Sequence, residues 1–494
     1  MRKKLPIFYS ALMLTGVNLL LRFVGTSFQV YLSSRIGASG IGLLQLVMSV
    51  GGLSTVAGMG GIRTATMYLT AEELGRKKPQ NVIWVLSGCF LYSICFSGFV
   101  AAALYHFAPW IASVWIGEPQ TVDALRLFAS FLPVSCLCGV MTGYFTAANR
   151  IGTLAAVEVA EQLCSMVLTL GALTLFAGSD PVRSSMCVIL GSAMGGILTL
   201  ACLVMLRLRE KPPIGPRIAV SYRLAQTALP LAIADDLKSG ITTVENLMVP
   251  KRLALNRAVS SPLAAFGLVS GMVFPVIMFP AAILFGLTEL LVPELARCAA
   301  AGSQNRIHYL VRATLRVALV YGVFMGGLLC ISSDSLCLSL YGSLDAANQM
   351  RAYALLVPML YCDIVTDAMT KGLGQQKVCV RYNIFTSALD VIFLYLLLPV
   401  YGMKGYFASF LVTHLINFVL SLRRLLKITI RSIPAHVPLF AAASILFSIW
   451  AAGFVPGGFL RCWTYILLLG SLLILSGILH KEDIQWVKGL LYKK

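Results

Sequence analysis

An all-α polytopic membrane protein is the fold class that the sequence predicts, and three observations predict it. Of 494 residues, 58% are hydrophobic and 12% charged, with a mean hydropathy of +0.84, whereas soluble domains run near 45–50% apolar and about 25% charged. Fourteen stretches approach the roughly 20 apolar residues a helix needs to cross a bilayer. The net charge of +19 falls mostly on the connections between those stretches. An ordinary soluble enzyme and a disordered chain are both excluded, the latter because disorder requires low hydrophobicity.

The fourteen expected spans are 6–33, 41–69, 81–107, 122–147, 154–177, 184–206, 223–249, 263–291, 309–332, 349–370, 382–400, 405–422, 435–455 and 462–480. The first follows Met-Arg-Lys-Lys but is too long for a signal peptide and has no small-residue cleavage site after it, so it is read as a span. With the N-terminus inside, 27 of the 39 Lys and Arg lie at cytoplasmic ends, 8 at the opposite ends, and Arg22, Arg63, Arg126 and Lys238 within spans. That bias obeys the positive-inside rule with both termini cytoplasmic. The basic excess is thus a topology signal, and no nucleic-acid partner is expected. The thirteen cysteines lie singly on apolar segments, with Cys136-Leu-Cys138 the closest pair and no Cys-x-x-Cys. They read as small soft hydrophobes, with no metal site expected.

The Pro- and charge-rich connection 207–222 divides the chain into an expected N-terminal six-helix lobe (1–206) and a C-terminal one (223–431), followed by two further helices and a basic tail (432–494). Echoes cross the linker at a near-constant offset. Leu5-Pro6 matches Leu229-Pro230 at 224, Ile41-Gly42-Leu43 matches Phe266-Gly267-Leu268 at 225, and Asn149-Arg150 matches Gln376-Lys377 at 227. Six helices per copy is an even number, so the repeat is expected to be parallel, with the substrate path between the lobes. No Gly-x-x-x-x-Gly-Lys-Ser/Thr phosphate loop accompanies it.

Ionisable side chains in mid-membrane are costly and mark pathways. Span one carries Asn18, Arg22 and Gln29; Arg22 is either a fixed cation for an anionic substrate group or one half of a structural ion pair. Span seven is the most polar. Asp235, Lys238, Thr242 and Glu245 recur at steps of three and four on one face, with Asp236 and Asn246 beside them. Either that helix lines a wet cavity or Lys238 neutralises Asp235 locally. Glu158 and Glu161 of span five could pair with Arg150 or with basic loops. Span ten carries Asp363 and Asp367, and span eleven aligns Asn383, Ser387 and Asp390, whose oxygens suit a hard cation. His414, with Thr413 and Asn417, reads as a packed polar residue. The glycines dense across spans one and two read first as close-packing positions.

Several short motifs resemble one family. Arg-Ile-Gly-Ala-Ser-Gly-Ile-Gly-Leu-Leu (35–44) follows span one, Gly61-Ile62-Arg63-Thr64-Ala65 with Ala71-Glu72 closes span two, and Gly143-Tyr144-Phe145 precedes Glu161-Gln162. Gly372-Leu373-Gly374-Gln375-Gln376-Lys377 follows span ten. Together with fourteen spans as six, six and two, these resemble the multidrug/oligosaccharidyl-lipid/polysaccharide (MOP) flippase superfamily, on the branch of stage V sporulation protein B and the polysaccharide exporters, related to lipid II flippases. The resemblance implies a transporter without covalent chemistry, moving an undecaprenyl-pyrophosphate-linked saccharide across the cell membrane for cell-wall or spore-cortex peptidoglycan or another polysaccharide. A drug/cation antiporter of the same fold is the alternative, and a membrane glycosyltransferase or polymerase is disfavoured. The expected partners are the lipid-linked substrate and membrane lipids. Arg22, in Arg-Phe-Val-Gly, matches the first arginine of the flippases' cavity, but Phe28 stands where they carry another. The expected substrate-binding residues are Arg22, Asn18, Lys238, Arg63 and Glu245. The expected ion-coupling residues are Asp235, Asp236, Asn383 and Asp390, although the spacing in span eleven departs from the family's pattern. No cofactor is expected beyond a coupling ion, Na+ or H+.

Overall fold

The computed structural model describes residues 7–148, 150–177, 180–209, 216, 220–429, 436–455 and 458–475. The basic residues Arg2, Lys3 and Lys4, most of the linker and the C-terminal lysines lie outside them, as does the side chain of Asn18. The described chain is all helical, without a strand among the described residues.

Each of the fourteen expected stretches is helical over its described residues, apart from breaks within a few of them. The first helix, α1 (Ile7–Met59), runs through spans one and two with a break at Gly37, where φ is +73°. A second break at Gly60 and Gly61, φ +48° and +69°, starts α2 (Ile62–Gly75); both glycines occupy the left-handed region that a Cβ disfavours. There follow α3 (Val82–Trp110), α4 (Val122–Ala147), α5 (Ile151–Ala172) and α6 (Pro181–Leu208). Asp180 starts α6 by accepting a hydrogen bond from the Val182 amide at 2.9 Å, an N-cap ahead of a proline in the first turn. Next comes α7 (Ser221–Leu253), then the short α8 (Pro262–Gly267) and α9 (Phe274–Met278), and α10 (Ala282–Ala300). The remaining helices are α11 (Gln304–Tyr341), α12 (Leu344–Ala354), α13 (Val357–Gly372), α14 (Gln376–Tyr401), α15 (Met403–Thr429), α16 (His436–Gly453) and α17 (Gly458–Leu475).

Among the described residues eight helical segments are long and apolar enough to cross a membrane, one of them holding both halves of α1. Expected spans eight and ten are each bent pairs, by 60° and 55°. Pro280 lies in the first break, and Pro358 follows the second, where its ring removes the bond to Ala354. The long α7 is not among them, being more polar, while α16 and α17 hold shorter apolar helices.

The chain forms two compact units, residues 1–28 with 35–267, and residues 29–34 with 268–494. This division differs from the expected boundary at the linker, because α7 packs with the helices that precede it. In the first unit the core joins Ile62 and Leu69 of α2, Val85 of α3, Val140 and Phe145 of α4 and Leu203 of α6. In the second, Ile277, Leu295, Tyr353, Tyr361, Val365 and Leu425 form the centre. There the Tyr361 hydroxyl donates to the Ile277 carbonyl at 2.8 Å, satisfying a buried phenol. Large apolar side chains such as Leu91, Phe99, Val167, Leu175 and Val400 stay uncovered by protein, as lipid-facing residues do. All thirteen cysteines are free thiols.

Candidate functional site

Helix α7 has two distinct faces. Thr243 and Asn246 face α1: the Thr243 hydroxyl donates to the Ser49 carbonyl at 3.2 Å, and the Asn246 amide donates to the Ser49 hydroxyl at 3.0 Å. This anchoring turns the face bearing Asp235, Lys238 and Thr242 away from α1, and all three are exposed. Among the described residues Lys238 makes no ion pair with Asp235. Glu245 is half-buried and partnered. Asp236 is also half-buried, within electrostatic reach of the Tyr92 phenol of α3, and its Oδ1 is buried without a hydrogen bond. Tyr92 in turn donates to the Gly60 carbonyl at 3.2 Å, which ties the α1–α2 break to the polar face of α7.

A second polar group lies on α2 and α5 of the same unit. Arg63 enters in the first turn after the Gly61 break, exposed, with its stem against the backbone of Gly139 in α4. Its guanidinium lies in electrostatic reach of Glu158, which faces Glu161 one turn on. Glu161 accepts a hydrogen bond from Thr199 of α6 at 3.0 Å. Arg63 is thus a neighbour of Glu158 that the sequence did not suggest. A Cβ built on Gly25 of α1 would lie 3.4 Å from the Gln162 amide nitrogen, which sets Arg22, exposed and one turn earlier on α1, on the α5 side of its helix. The first unit therefore holds Arg22, Arg63, Lys238, Asp235, Asp236 and Glu245.

Sequence reasoning missed one cluster in this unit. Arg223, in the first turn of α7, bonds Glu72 at 2.5 Å and Glu73 at 3.0 Å. Asn81 donates to the other Glu73 oxygen at 2.8 Å, and Arg76 closes on Glu72 at 2.5 Å. Glu73 is buried while Arg223 stays partly exposed. The paired acids at the end of α2 were visible in the sequence, but nothing in it pointed to Arg223, 150 residues away.

The second unit holds Asn383 and Asp390, so the four expected coupling residues are divided two and two between the units. Within this unit the expected Asn383–Ser387–Asp390 grouping separates. Asn383 lines a cavity of about 350 Å³ with Asp363, Asp367, Lys371, Asn417 and Thr288. Asp390 instead accepts hydrogen bonds from Ser409 at 2.6 Å and Thr413 at 3.2 Å. Seven residues of helix, about 10 Å of rise, part the two side chains. A shared face of one helix does not fix which neighbouring helix meets each turn. In the cavity the Asn417 amide donates to both Asp363 oxygens at 3.1 and 3.4 Å, and Lys371 pairs with Asp367 at 2.5 Å. The remaining Asn417 oxygen is buried without a partner. His414 stacks on Phe410 at 3.9 Å and bonds its carbonyl at 3.0 Å, as a packed side chain. No group of three or more His, Cys, Asp or Glu is placed to hold a metal ion among the described residues.

A sequence model of the MatE family matches residues 14–175. Stage V sporulation protein B of Bacillus subtilis (strain 168) is 21% identical over 373 residues, 74% of this chain and 72% of that protein. In structure, the inward closed conformation of the lipid II flippase MurJ superposes with a TM-score of 0.70 at 13% identity, covering 96% of this chain and all of the other. The chain therefore has the fold of the MOP superfamily transporters. An inward-facing multidrug resistance MATE transporter of that superfamily matches with a TM-score of 0.67 at 13% identity, over 86% of this chain and all of its own. A MOP superfamily transporter from Pyrococcus furiosus, for which a reverse polarity of the binding pocket suggests a different function, matches with a TM-score of 0.61 at 11% identity, over 89% and 96%. The two polar features differ in chemistry. Guanidinium and ammonium groups on α1, α2 and α7 suit a multivalent anion, and the oxygens of Asp363, Asn383, Asn417 and Thr288 suit a hard monovalent cation or a proton.

Proposed function

We propose that the protein is a MOP superfamily transporter, a flippase that carries an undecaprenyl-pyrophosphate-linked saccharide, a peptidoglycan or polysaccharide precursor, from the cytoplasmic to the outer leaflet. The observation that supports it is the set of three cationic side chains, Arg22, Arg63 and Lys238, uncovered in one unit of a membrane protein. Cationic side chains within membrane spans are rare and mark substrate paths. A diphosphate supplies both the charge and the paired oxygens that a guanidinium grips. The similarity to stage V sporulation protein B and to MurJ points the same way. No bond is made or broken: the head group crosses a hydrated cleft while the lipid tail stays in the bilayer, and two-sided access follows from rocking of the repeats. Both termini are cytoplasmic in this reading.

The Asp363 cavity favours one addition to that reading. It is the coupling site for Na+ or H+, and Asn383 belongs to it. The same acidic cavity is also the feature that favours a second reading, a drug/cation antiporter in which Asp363 meets an organic cation. Depletion of the protein distinguishes them. The flippase reading expects accumulation of a lipid-linked saccharide on the cytoplasmic side; unchanged lipid intermediates together with raised sensitivity to cationic drugs would favour the antiporter.

A further inference from the structure

One cation of the first unit stands apart from the groups described above. Arg126 lies in the second turn of α4, at the outer end of its span in the orientation that the basic residues imply, where positive charge is sparse. Asp123 stands three residues earlier, exposed, in the first turn. The helix dipole accounts for Asp123 but opposes a cation so near the N-terminus. An acid and a base at this spacing share a helix face and commonly close into an ion pair. At the outer end of α6 the same spacing does close, with Arg183 3.6 Å from Asp180. Among the described residues Arg126 and Asp123 form no ion pair, with each other or with a third residue. The Arg126 guanidinium lies instead over the Tyr105 ring of α3, 5.2 Å from its centroid, a cation–π contact. Its Nε is buried without a hydrogen bond. Tyr105 is half exposed, on the side of α3 that carries the uncovered Leu91 and Ile94. An aromatic ring thus holds a guanidinium at a lipid-facing surface with its donors unused.

We propose that Asp123, Arg126 and Tyr105 form a site for the headgroup of phosphatidylethanolamine in the outer leaflet. The order of the two charges carries the assignment. In a bilayer the phosphate of that headgroup adjoins the glycerol, and its ammonium lies further toward water. On α4, Arg126 is the deeper residue and Asp123 the outer one, about 4.5 Å apart along the helix axis. The phosphate therefore meets the guanidinium, whose planar fork binds paired oxygens, while the ammonium meets the carboxylate. A choline headgroup offers no N–H to Asp123, and an anionic headgroup brings it no cation. Near a span end a long side chain such as that of Arg126 reaches the headgroup level. Trp110 and Trp115, exposed and with ring centroids 5.4 Å apart, mark that level where α3 ends. The site serves the surrounding lipid, so it does not depend on what the protein carries.

The test uses the full-length protein purified in detergent. Dioleoyl phosphatidylethanolamine, phosphatidylcholine or phosphatidylglycerol is titrated in, and bound lipid is counted by native mass spectrometry. The wild-type protein should hold phosphatidylethanolamine about tenfold more tightly than either of the others, the worth of one hydrogen bond between charged groups. Arg126→Gln should weaken its binding about tenfold, and Asp123→Asn should make phosphatidylethanolamine and phosphatidylglycerol equal. Arg183→Gln, at an exposed outer position that already has its acid, should change neither. Equal binding of the three lipids by the wild-type protein would overturn the site. So would a preference that survives both Arg126→Gln and Asp123→Asn, or one that Arg183→Gln abolishes equally. If Arg126→Gln fails to fold, Asp123→Asn, at an exposed position, decides the question alone: an undiminished preference for phosphatidylethanolamine in that variant would refute the proposal.

Discussion

Arg22 and Asp363 carry the two chemical roles, and each can be tested by keeping its shape while changing its charge. Arg22→Ala should abolish complementation of a depleted strain at unchanged membrane level, and Arg22→Lys should retain part of it, because charge survives while the bidentate grip is lost. Full complementation by Arg22→Ala would remove the residue from substrate binding. The two acids of the second unit should behave differently from each other. Asp363→Asn should make transport in vesicles independent of an imposed Na+ or H+ gradient. Asp390→Asn should keep that dependence and lose about 1 kcal/mol of stability through its weakened hydroxyl bonds. The reverse pattern would return the coupling role to Asp390. From sequence, Asn383 and Asp390 shared one face of one helix. Only the partners on α13 and α15, Asn417 with Asp363 on one hand and Ser409 with Thr413 on the other, show that the two turns serve different sites.

At the scale of helices, α7 is the informative element. Its polarity was legible from the three- and four-residue spacing of Asp235, Lys238, Thr242 and Glu245. Its allegiance was not, because the linker 207–222 argued for a second lobe while the ties to Ser49, Glu72 and Glu73 bind α7 to the first unit. Arg223→Ala should destabilise the purified protein by about 2 kcal/mol, between the value of an exposed pair and that of a fully buried one, seen as a lower midpoint in thermal unfolding. Arg223→Glu combined with Glu73→Arg should recover part of the loss. An unaltered midpoint for Arg223→Ala would show that the cluster contributes nothing to the hold on α7. The added helices are tied differently: the Tyr465 hydroxyl of α17 donates to the Val323 carbonyl of α11 at 2.9 Å, and its ring lies where a side chain on Gly327 would stand. Gly327→Ala should therefore loosen α17 from α11.

For the whole molecule, composition and span counting were enough to reach an all-helical polytopic fold, because apolar length is a property of local sequence. The breaks were less legible. Span eight divides at Pro280 and span ten beside Pro358, and a hydropathy window passes over both prolines. Topology is open to direct test. Cysteine at Ser343 should react with an impermeant thiol reagent in intact cells, and cysteines at Gln80 and Ser303 should not; cysteine at Ser179, outside the described residues, belongs with Ser343 in this expectation. Reversed labelling would contradict the orientation drawn from the 27 to 8 distribution of basic residues.

The central claim is that a pyrophosphate-linked saccharide crosses the membrane through a site that includes Arg22. Its most direct measurement reconstitutes the purified chain in vesicles and follows translocation of an undecaprenyl-pyrophosphate-linked saccharide, beside a neutral lipid-linked saccharide and a cationic drug. Wild-type protein should accelerate only the pyrophosphate-linked lipid, and Arg22→Ala should return it to the protein-free rate. Equal movement of the neutral lipid, movement of the drug alone, or an undiminished rate in Arg22→Ala would contradict the account.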